Sequence, residues 1–455
     1  MIFKVRLIVL TCEYTCVKIC SEVRRLEYTI DEFVEKFVPY KIQRTTLLTS
    51  GLAWGTVAAG VMVMGFTLPS VVKAYSLSMY MGSWIASSTF IGMLVGAFLS
   101  GYMADIWGRK KIAIFTLLLT VIFTSFTAIK VSYPMLLFFR VLAGFGMGGL
   151  LPVVNAIVAE FTSSEKRGKY LVLLESSWAF GSIAIGIVAV TAGNLDWHID
   201  YFSFLLALLF LIPLSTIPET PRYMVQKKKF RSLQRAFRRF SVEIPSDITF
   251  RVDKSKHIPF LGLFESQYIS TTLMIWFLWF SLSFSYYGFF IWMPKMINKM
   301  AGTSLTSSLF FLFVMMIAQL PGYFTGAYLV EKIGRKKTLF YSLIGTAVFS
   351  ILFAFSRSDI WLLVYGVTMT FFCMSAWGSL YAYTPELYPT RFRGSANGSA
   401  GAMARIAGML APFYIAQMME IGLTSAAISG FGIMLLISAF WMFFVGHETS
   451  GTQIG

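Results

Sequence analysis

Three charged side chains lie inside long apolar stretches of the sequence, namely Glu175, Arg405 and Arg140. A charge inside a membrane is costly and is normally retained for binding, proton transfer or ion pairing. Arg405 could meet an anionic substrate, whereas Glu175 could carry a proton or a counter-charge. A carboxyl group removed from water keeps its proton more readily, which suits proton exchange.

Glu175 and Arg405 are predicted at similar depths on opposite sides of a shared cavity. Glu175 lies six residues after Lys169, or ~9 Å along a helix. Arg405 lies ~12 Å into its helix from the same side, and Arg140 lies nearer to the other side. A static ion pair or a water-facing helix end remains an open alternative for Glu175 and Arg405.

Aromatic and amide side chains supply further candidates for a binding site. Aromatic residues make up 17% of the chain, so most of them must face lipid or the packed interior. Rings in a cavity would stack on a flat ring or a sugar face, and amides would bind substrate or join helices. The candidates are Tyr286, Tyr287, Trp377, Tyr381, Asn155 and Gln319.

The histidines and cysteines do not suggest an enzyme. The three histidines are expected in loops or at helix ends, and no nucleophile–base pair or metal-binding cluster is recognisable, so we predict no metal and no cofactor. Cys12, Cys16 and Cys20 are spaced four residues apart without a nearby histidine, which makes a metal site there the weaker interpretation.

The elements that carry these residues are predicted to span a membrane. The chain has 455 residues, of which 56% are hydrophobic and 13% charged. A membrane-spanning helix needs ~20 mostly apolar residues, and twelve stretches qualify. They are 46–69, 82–104, 111–129, 134–159, 170–192, 200–217, 269–293, 305–330, 338–356, 360–383, 397–417 and 424–445. We therefore expect an all-α membrane protein.

The distribution of lysine and arginine predicts the orientation. With a cytoplasmic N-terminus, the inner segments hold 31 of these residues and the outer segments 5, as the positive-inside rule requires. Both termini are then cytoplasmic, and the net charge of +16 suits an anionic lipid surface rather than nucleic acid. Within the central loop, residues 227–240 are predicted to form a basic amphipathic helix on the inner membrane face.

The two halves of the chain repeat at an offset of 226 residues. Val95 to Lys111 reads VGAFLSGYMADIWGRKK, and Pro321 to Lys337 reads PGYFTGAYLVEKIGRKK. Parallel six-helix repeats predict two pseudo-symmetric bundles with a substrate site between them. The predicted domains are a cytoplasmic segment 1–45, a first bundle 46–217, a central loop 218–268, a second bundle 269–445 and a tail 446–455.

Charged residues recur at the predicted cytoplasmic ends of both halves. A carboxylate at a helix C-terminus is disfavoured by the helix dipole, so Asp105 needs cationic partners, and Arg109 and Arg167 are candidates. The second half repeats this arrangement. We predict a gating charge network, with fixed topology anchors as the alternative. Its members are Asp105, Arg109, Glu160, Arg167, Glu331, Arg335, Glu386 and Arg393. Gly101, Gly144, Gly146 and Gly148 would let helices approach closely.

Several of these motifs resemble those of the major facilitator superfamily. GYMADIWGRKK resembles its signature after the second helix, and Arg140 with GFGMG at 144–148 resembles its fourth-helix motif. PETPR at 218–222 and GHET at 446–449 resemble motifs of the sugar-porter and organic-ion branches. The fifth and seventh spans look most like prokaryotic niacin and aromatic-acid transporters, which are related to synaptic-vesicle glycoproteins.

The resemblance implies a secondary transporter that works by alternating access. It implies a small organic acid as substrate with proton symport, a plasma-membrane location, no nucleic-acid partner and a monomer. It also links Arg140 to proton coupling or substrate contact. Two departures bear on this expectation. Val57 and Gly60 occupy positions that are acidic in niacin-type carriers, and SLSFS at 281–285 lacks the sugar-porter glutamines. A facilitator of sugars, neutral or cationic metabolites, or a non-transporting sensor, is the alternative.

Overall fold

Twelve long helices follow one another along the chain in a computed structural model, which describes residues 27–193, 196–245, 248–250, 260–389 and 392–449. Cys12, Cys16 and Cys20 lie outside the described residues. The first-half helices are α1 (Tyr40–Ala74), α2 (Met79–Trp107), α3 (Arg109–Phe126), α4 (Tyr133–Phe161), α5 (Arg167–Val188) and α6 (His198–Thr216). The second-half helices are α7 (Ile269–Ala301), α8 (Leu305–Ile333), α9 (Arg335–Phe355), α10 (Asp359–Glu386), α11 (Arg393–Glu420) and α12 (Thr424–Val445).

Ten of these twelve helices are long and apolar enough to cross a membrane. The two other helices do not meet this criterion of length and apolarity. The first, α3, begins with Arg109, Lys110 and Lys111, and the second, α11, is rich in glycine, alanine and serine. Each of the twelve predicted spans coincides with one helix, and most helices extend a few residues further. The predicted twelve-helix membrane fold is therefore confirmed.

Glycines allow α2 and α4 to pack with their backbones in contact. A Cβ atom added to Gly144 would lie 2.0 Å from the carbonyl oxygen of Thr89, and one added to Gly148 would lie 2.0 Å from that of Met93. The close approach predicted for Gly144 and Gly148 is therefore confirmed. It is wrong for Gly101, because a Cβ added there has no heavy atom within 4 Å.

The two halves contact each other mainly away from the Gly-Arg-Lys-Lys turns. We call the end that carries these turns the basic end, and the other the opposite end. Toward the opposite end, Ser87 Oγ of α2 donates a hydrogen bond to the carbonyl oxygen of Met409 in α11 at 2.6 Å. A Cβ on Gly408 would lie 2.5 Å from the Phe90 ring. Toward the basic end, a Cβ added to Gly398 of α11 meets open space.

The residues before α1 pack against the segment between α6 and α7. Phe33 is fully buried, and its ring centroid lies 5.7 Å from that of Phe237 and 5.4 Å from that of Phe250. We call this layer the loop cluster. It consists of helices Ile30–Phe37, Pro221–Gln226 and Phe230–Arg238 and the parallel strands β1 (Glu27–Tyr28) and β2 (Thr249–Phe250).

The predicted basic amphipathic helix forms at Phe230–Arg238, and its apolar side packs inside the loop cluster. Leu233 and Phe237 are buried, and Phe237 packs against Phe33 of the N-terminal helix. The N-terminal segment therefore covers these two residues, and the location of the helix on the inner membrane face stays a prediction.

Candidate functional site

A chamber lies between the two halves, roughly midway along the helices. It encloses about 330 Å³ of empty space, a figure that includes open solvent. Aromatic rings form most of the wall. The lining residues are Trp54, Glu175, Trp178, Tyr286, Tyr287, Tyr323, Met374, Trp377 and Tyr381.

Glu175 is the acidic residue of the chamber wall. It is 4% exposed, and its Oε2 is buried without a hydrogen-bond partner. Trp178 lies three residues further along α5 and therefore on the same helix face. Its Nε1 donates to the hydroxyl of Tyr286 at 3.0 Å, which joins the two halves at the chamber.

The hydroxyl of Tyr286 accepts two hydrogen bonds at the chamber wall. It accepts a second hydrogen bond from Nε2 of Gln319 at 3.3 Å, while Oε1 of Gln319 has no partner. Gln319 thus stands directly behind the chamber wall rather than in it. Tyr287 packs against Phe90 of the first half at 4.6 Å between ring centroids. The chamber aromatics therefore belong to the contact between the halves.

Arg405 is not one of the residues that line the chamber. It lies next to it in the second half, one turn of α11 before Gly408, which faces Phe90 beside Tyr287. Nη1 of Arg405 donates to the carbonyl oxygen of Gly401 at 2.9 Å, and its Nε is buried without a partner. Among the described residues, no ion pair joins Glu175 to Arg405.

Arg140 lies away from the chamber, inside the first half. It is fully buried, its Nε donates to Oγ1 of Thr89 at 3.0 Å, and its Nη2 donates to the carbonyl oxygen of Gly60 at 3.4 Å. Its guanidinium carbon lies 5.9 Å from the ring centroid of Tyr201. Asn155 of α4 is half-buried. Neither Arg140 nor Asn155 contributes to the chamber wall.

The charged residues at the basic end form equivalent pairs in the two halves. Nε of Arg109 lies 2.9 Å from Oε1 of Glu160, and Nε of Arg335 lies 2.9 Å from Oε2 of Glu386. Arg109 also contacts Asp105 at 3.2 Å, as its sequence position suggested. The 226-residue repeat thus extends to side-chain geometry.

The remaining members of the predicted network have other surroundings. Arg167 pairs with Asp31 of the loop cluster at 2.6 Å rather than with Asp105. Nε of Arg393 donates to the carbonyl oxygen of Tyr388 at 3.2 Å, and Glu331 is exposed. In the described parts of the chain, each of these contacts stays within one half and its adjoining loop segments.

Two further acids at the basic end were not predicted as site residues. Oε1 of Glu219 accepts from the backbone N–H of Lys110 at 3.1 Å, and Oε1 of Glu448 accepts from that of Arg335 at 2.8 Å. They therefore cap the N-termini of α3 and α9. Their recurrence as Glu-Thr after the sixth and the twelfth span was the available signal.

Three aromatic residues of the chamber wall, Trp54, Trp178 and Tyr323, were also missed, and so was Met374. Composition gave no reason to select them among so many aromatic residues. The spacing of Glu175 and Trp178 offered one signal, since residues three apart share a helix face. No sequence signal pointed to Trp54 or Tyr323. The rotation of α1 and α8 about their own axes decides which of their rings face the chamber, and that rotation is set only in the folded chain.

The fold and its chamber between paired bundles are those of a membrane transporter. The family model described as Major Facilitator Superfamily matches residues 51–412 and again 312–455. The chain belongs to the major facilitator superfamily, whose members are transporters rather than enzymes.

Curated relatives and solved structures resemble the chain over nearly its whole length. The niacin transporter NiaP of Acinetobacter baylyi is 33% identical, over 91% of this chain and 96% of the relative. The putative niacin/nicotinamide transporter NiaP of Bacillus subtilis is 35% identical, over 90% of this chain and 98% of the relative. A partially occluded inward-open structure of the xylose transporter XylE from E. coli has a TM-score of 0.73 at 18% identity. The match covers 91% of this chain and 100% of the XylE chain.

Proposed function

We propose that this transporter moves a small organic acid, with nicotinate as the first candidate, by alternating access. The observation that carries the proposal is Arg405 beside an aromatic chamber between the halves. A guanidinium binds a carboxylate well, and flat aromatic walls suit a flat ring. The similarity to niacin transporters supports the same substrate class.

Proton symport is the proposed coupling, with Glu175 as the proton carrier. A carboxyl group buried in a membrane protein without a counter-charge is a common element of proton relays. Val57 and Gly60 stand where niacin-type carriers have acids, so α1 offers no acid for coupling there. Arg140 donates to the Gly60 carbonyl and remains a candidate for coupling rather than for substrate contact.

Alternating access would use the two ends of the interface between the halves. The contact of Ser87 with Met409 supports closure toward the opposite end. We propose that the basic end faces the cytoplasm, that the protein is a monomer of the plasma membrane, and that the charge network there changes partners during transport. The proposed members are Asp105, Arg109, Glu160, Arg167, Glu331, Arg335, Glu386 and Arg393.

Uptake into proteoliposomes tests the proposal. Labelled nicotinate and benzoate would be offered with and without an inward-acid pH gradient, to the wild type and to Glu175→Gln. We expect uptake that the gradient stimulates and that Glu175→Gln makes independent of the gradient. Uptake that ignores the gradient in the wild type would indicate a facilitator. Absence of uptake of both acids by folded protein would reject an organic-acid substrate.

A second candidate substrate is a small organic cation. Glu175 faces a chamber with seven aromatic residues in its wall, and such rings attract cations. Arg405→Gln separates the two candidates. An organic acid would lose its uptake in this variant because its carboxylate would lose the guanidinium, whereas uptake of a cation would persist or rise.

A further inference from the structure

Each half of the molecule has an unsatisfied polar atom in the chamber wall or next to it. Oε2 of Glu175 in α5 and Nε of Arg405 in α11 are both buried without a hydrogen-bond partner. A buried polar atom that makes no hydrogen bond is costly. Each of the two atoms therefore marks a place where a bound molecule would supply the missing contact.

Glu175 and Tyr381 line the chamber from opposite halves, and Arg405 lies next to it, one turn before Gly408, which faces Phe90 beside Tyr287. Tyr381 is one of the aromatic residues that the second half contributes to the wall. Its ring lies 4.7 Å from the Trp279 ring and 5.8 Å from the Trp377 ring, measured between centroids. These two contacts hold the Tyr381 ring in place. A small flat molecule lying along the wall could therefore reach both halves at once.

The two groups differ in the chemistry that they offer. Arg405 is a cation and a donor, so it suits a carboxylate. Glu175 has no cationic partner among the described residues, and an isolated buried carboxyl group is much cheaper in its neutral form. A neutral carboxyl group can donate one hydrogen bond. The contact that it needs is a hydrogen-bond acceptor on the substrate, away from the carboxylate.

We infer that Glu175 selects aromatic acids that carry a basic nitrogen in the ring over acids whose ring lacks one. The inference rests on the proposed function and adds a specificity-determining residue to it. In a pyridine carboxylate, the carboxylate pairs with Arg405 while the lone pair of the ring nitrogen accepts the hydrogen bond from Glu175. Benzoate keeps the first contact and leaves Glu175 unsatisfied.

Equilibrium binding to the purified full chain tests the inference without depending on coupling. Labelled nicotinate would be displaced by unlabelled nicotinate or benzoate in the wild type, Glu175→Gln and Glu175→Leu. We expect the wild type to prefer nicotinate about tenfold or more, the worth of one well-placed hydrogen bond. Glu175→Gln should keep the preference because its amide still donates. Glu175→Leu should lower nicotinate affinity to that of benzoate.

Benzoate serves as the internal control, because its affinity should not fall in Glu175→Leu if the chamber remains folded. Equal affinity of the wild type for both acids would overturn the inference, as would a preference that survives in Glu175→Leu. Both of these outcomes leave organic-acid transport intact. Failure of both acids to bind the wild type would instead reject the proposed function, and the inference with it.

Discussion

Gly108 joins α2 to α3 with a backbone conformation that other residues rarely adopt. Its φ angle is +108°, and a Cβ atom there would lie 2.3 Å from Oε2 of Glu219. Gly334 holds the equivalent position in the second half with a φ angle of +95°. The glycines of the repeated motif are thus explained by backbone geometry and by the capping acids behind them.

Gly108→Ala is expected to destabilise the protein by about 1–3 kcal/mol, the cost of a strained backbone position, with a further loss from displacing Glu219. Gly101→Ala is the matched control, since the same change on α2 adds a Cβ to open space. Thermal unfolding in detergent would measure both. Equal unfolding temperatures for the two variants would contradict this explanation.

Glu219 offsets an unfavourable cluster of charge at the start of α3. Arg109, Lys110 and Lys111 lie in the first turn, where the helix dipole disfavours cations and favours anions. Glu219→Gln keeps an acceptor for the Lys110 N–H but removes the negative charge. We expect a loss of about 1 kcal/mol in unfolding free energy.

Glu165→Gln is the control for this prediction, because Glu165 is an exposed acid in the connection between α4 and α5. Denaturation of both variants at low and high salt would separate the effect of the Glu219 charge, which salt screens, from that of its hydrogen bond to the Lys110 N–H. If Glu165→Gln lowered stability as much as Glu219→Gln does, the capping role would be refuted.

The twelve spanning helices could be predicted from sequence, whereas the loop cluster could not. Ten of the twelve helices are apolar stretches of sufficient length, so their positions are a local property of the sequence. Phe33 and Phe237 are far apart in the sequence and meet only in the folded chain. The same limit applies to the chamber, where charged residues were predictable because charge is rare in apolar spans, but Trp54 and Tyr323 were not.

The helix Ile30–Phe37 is expected to depend on Phe33 for its place in the loop cluster. Phe33→Ala removes a fully buried ring and should cost about 3 kcal/mol or more. Hydrogen exchange would then show lost protection in residues 30–37 and 230–238. Glu35→Ala, an exposed change on the same helix, should leave protection intact. Unchanged exchange in Phe33→Ala would mean that the cluster is held by other contacts.

At the scale of the whole molecule, the two halves are joined toward the opposite end and around the chamber. Transport by alternating access requires these contacts to open. Phe90 and Gly408 face each other across α2 and α11, where a Cβ on Gly408 would lie 2.5 Å from the Phe90 ring. Two cysteines at these positions would lie within the range of a disulfide.

Nicotinate uptake by Phe90→Cys/Gly408→Cys, in a background without native cysteines, tests the central claim most directly. Oxidation should join the two halves and abolish uptake into proteoliposomes, a reductant should restore it, and the two single variants should ignore the oxidant. Continued nicotinate uptake by fully cross-linked protein would contradict transport through the chamber by alternating opening of the two halves.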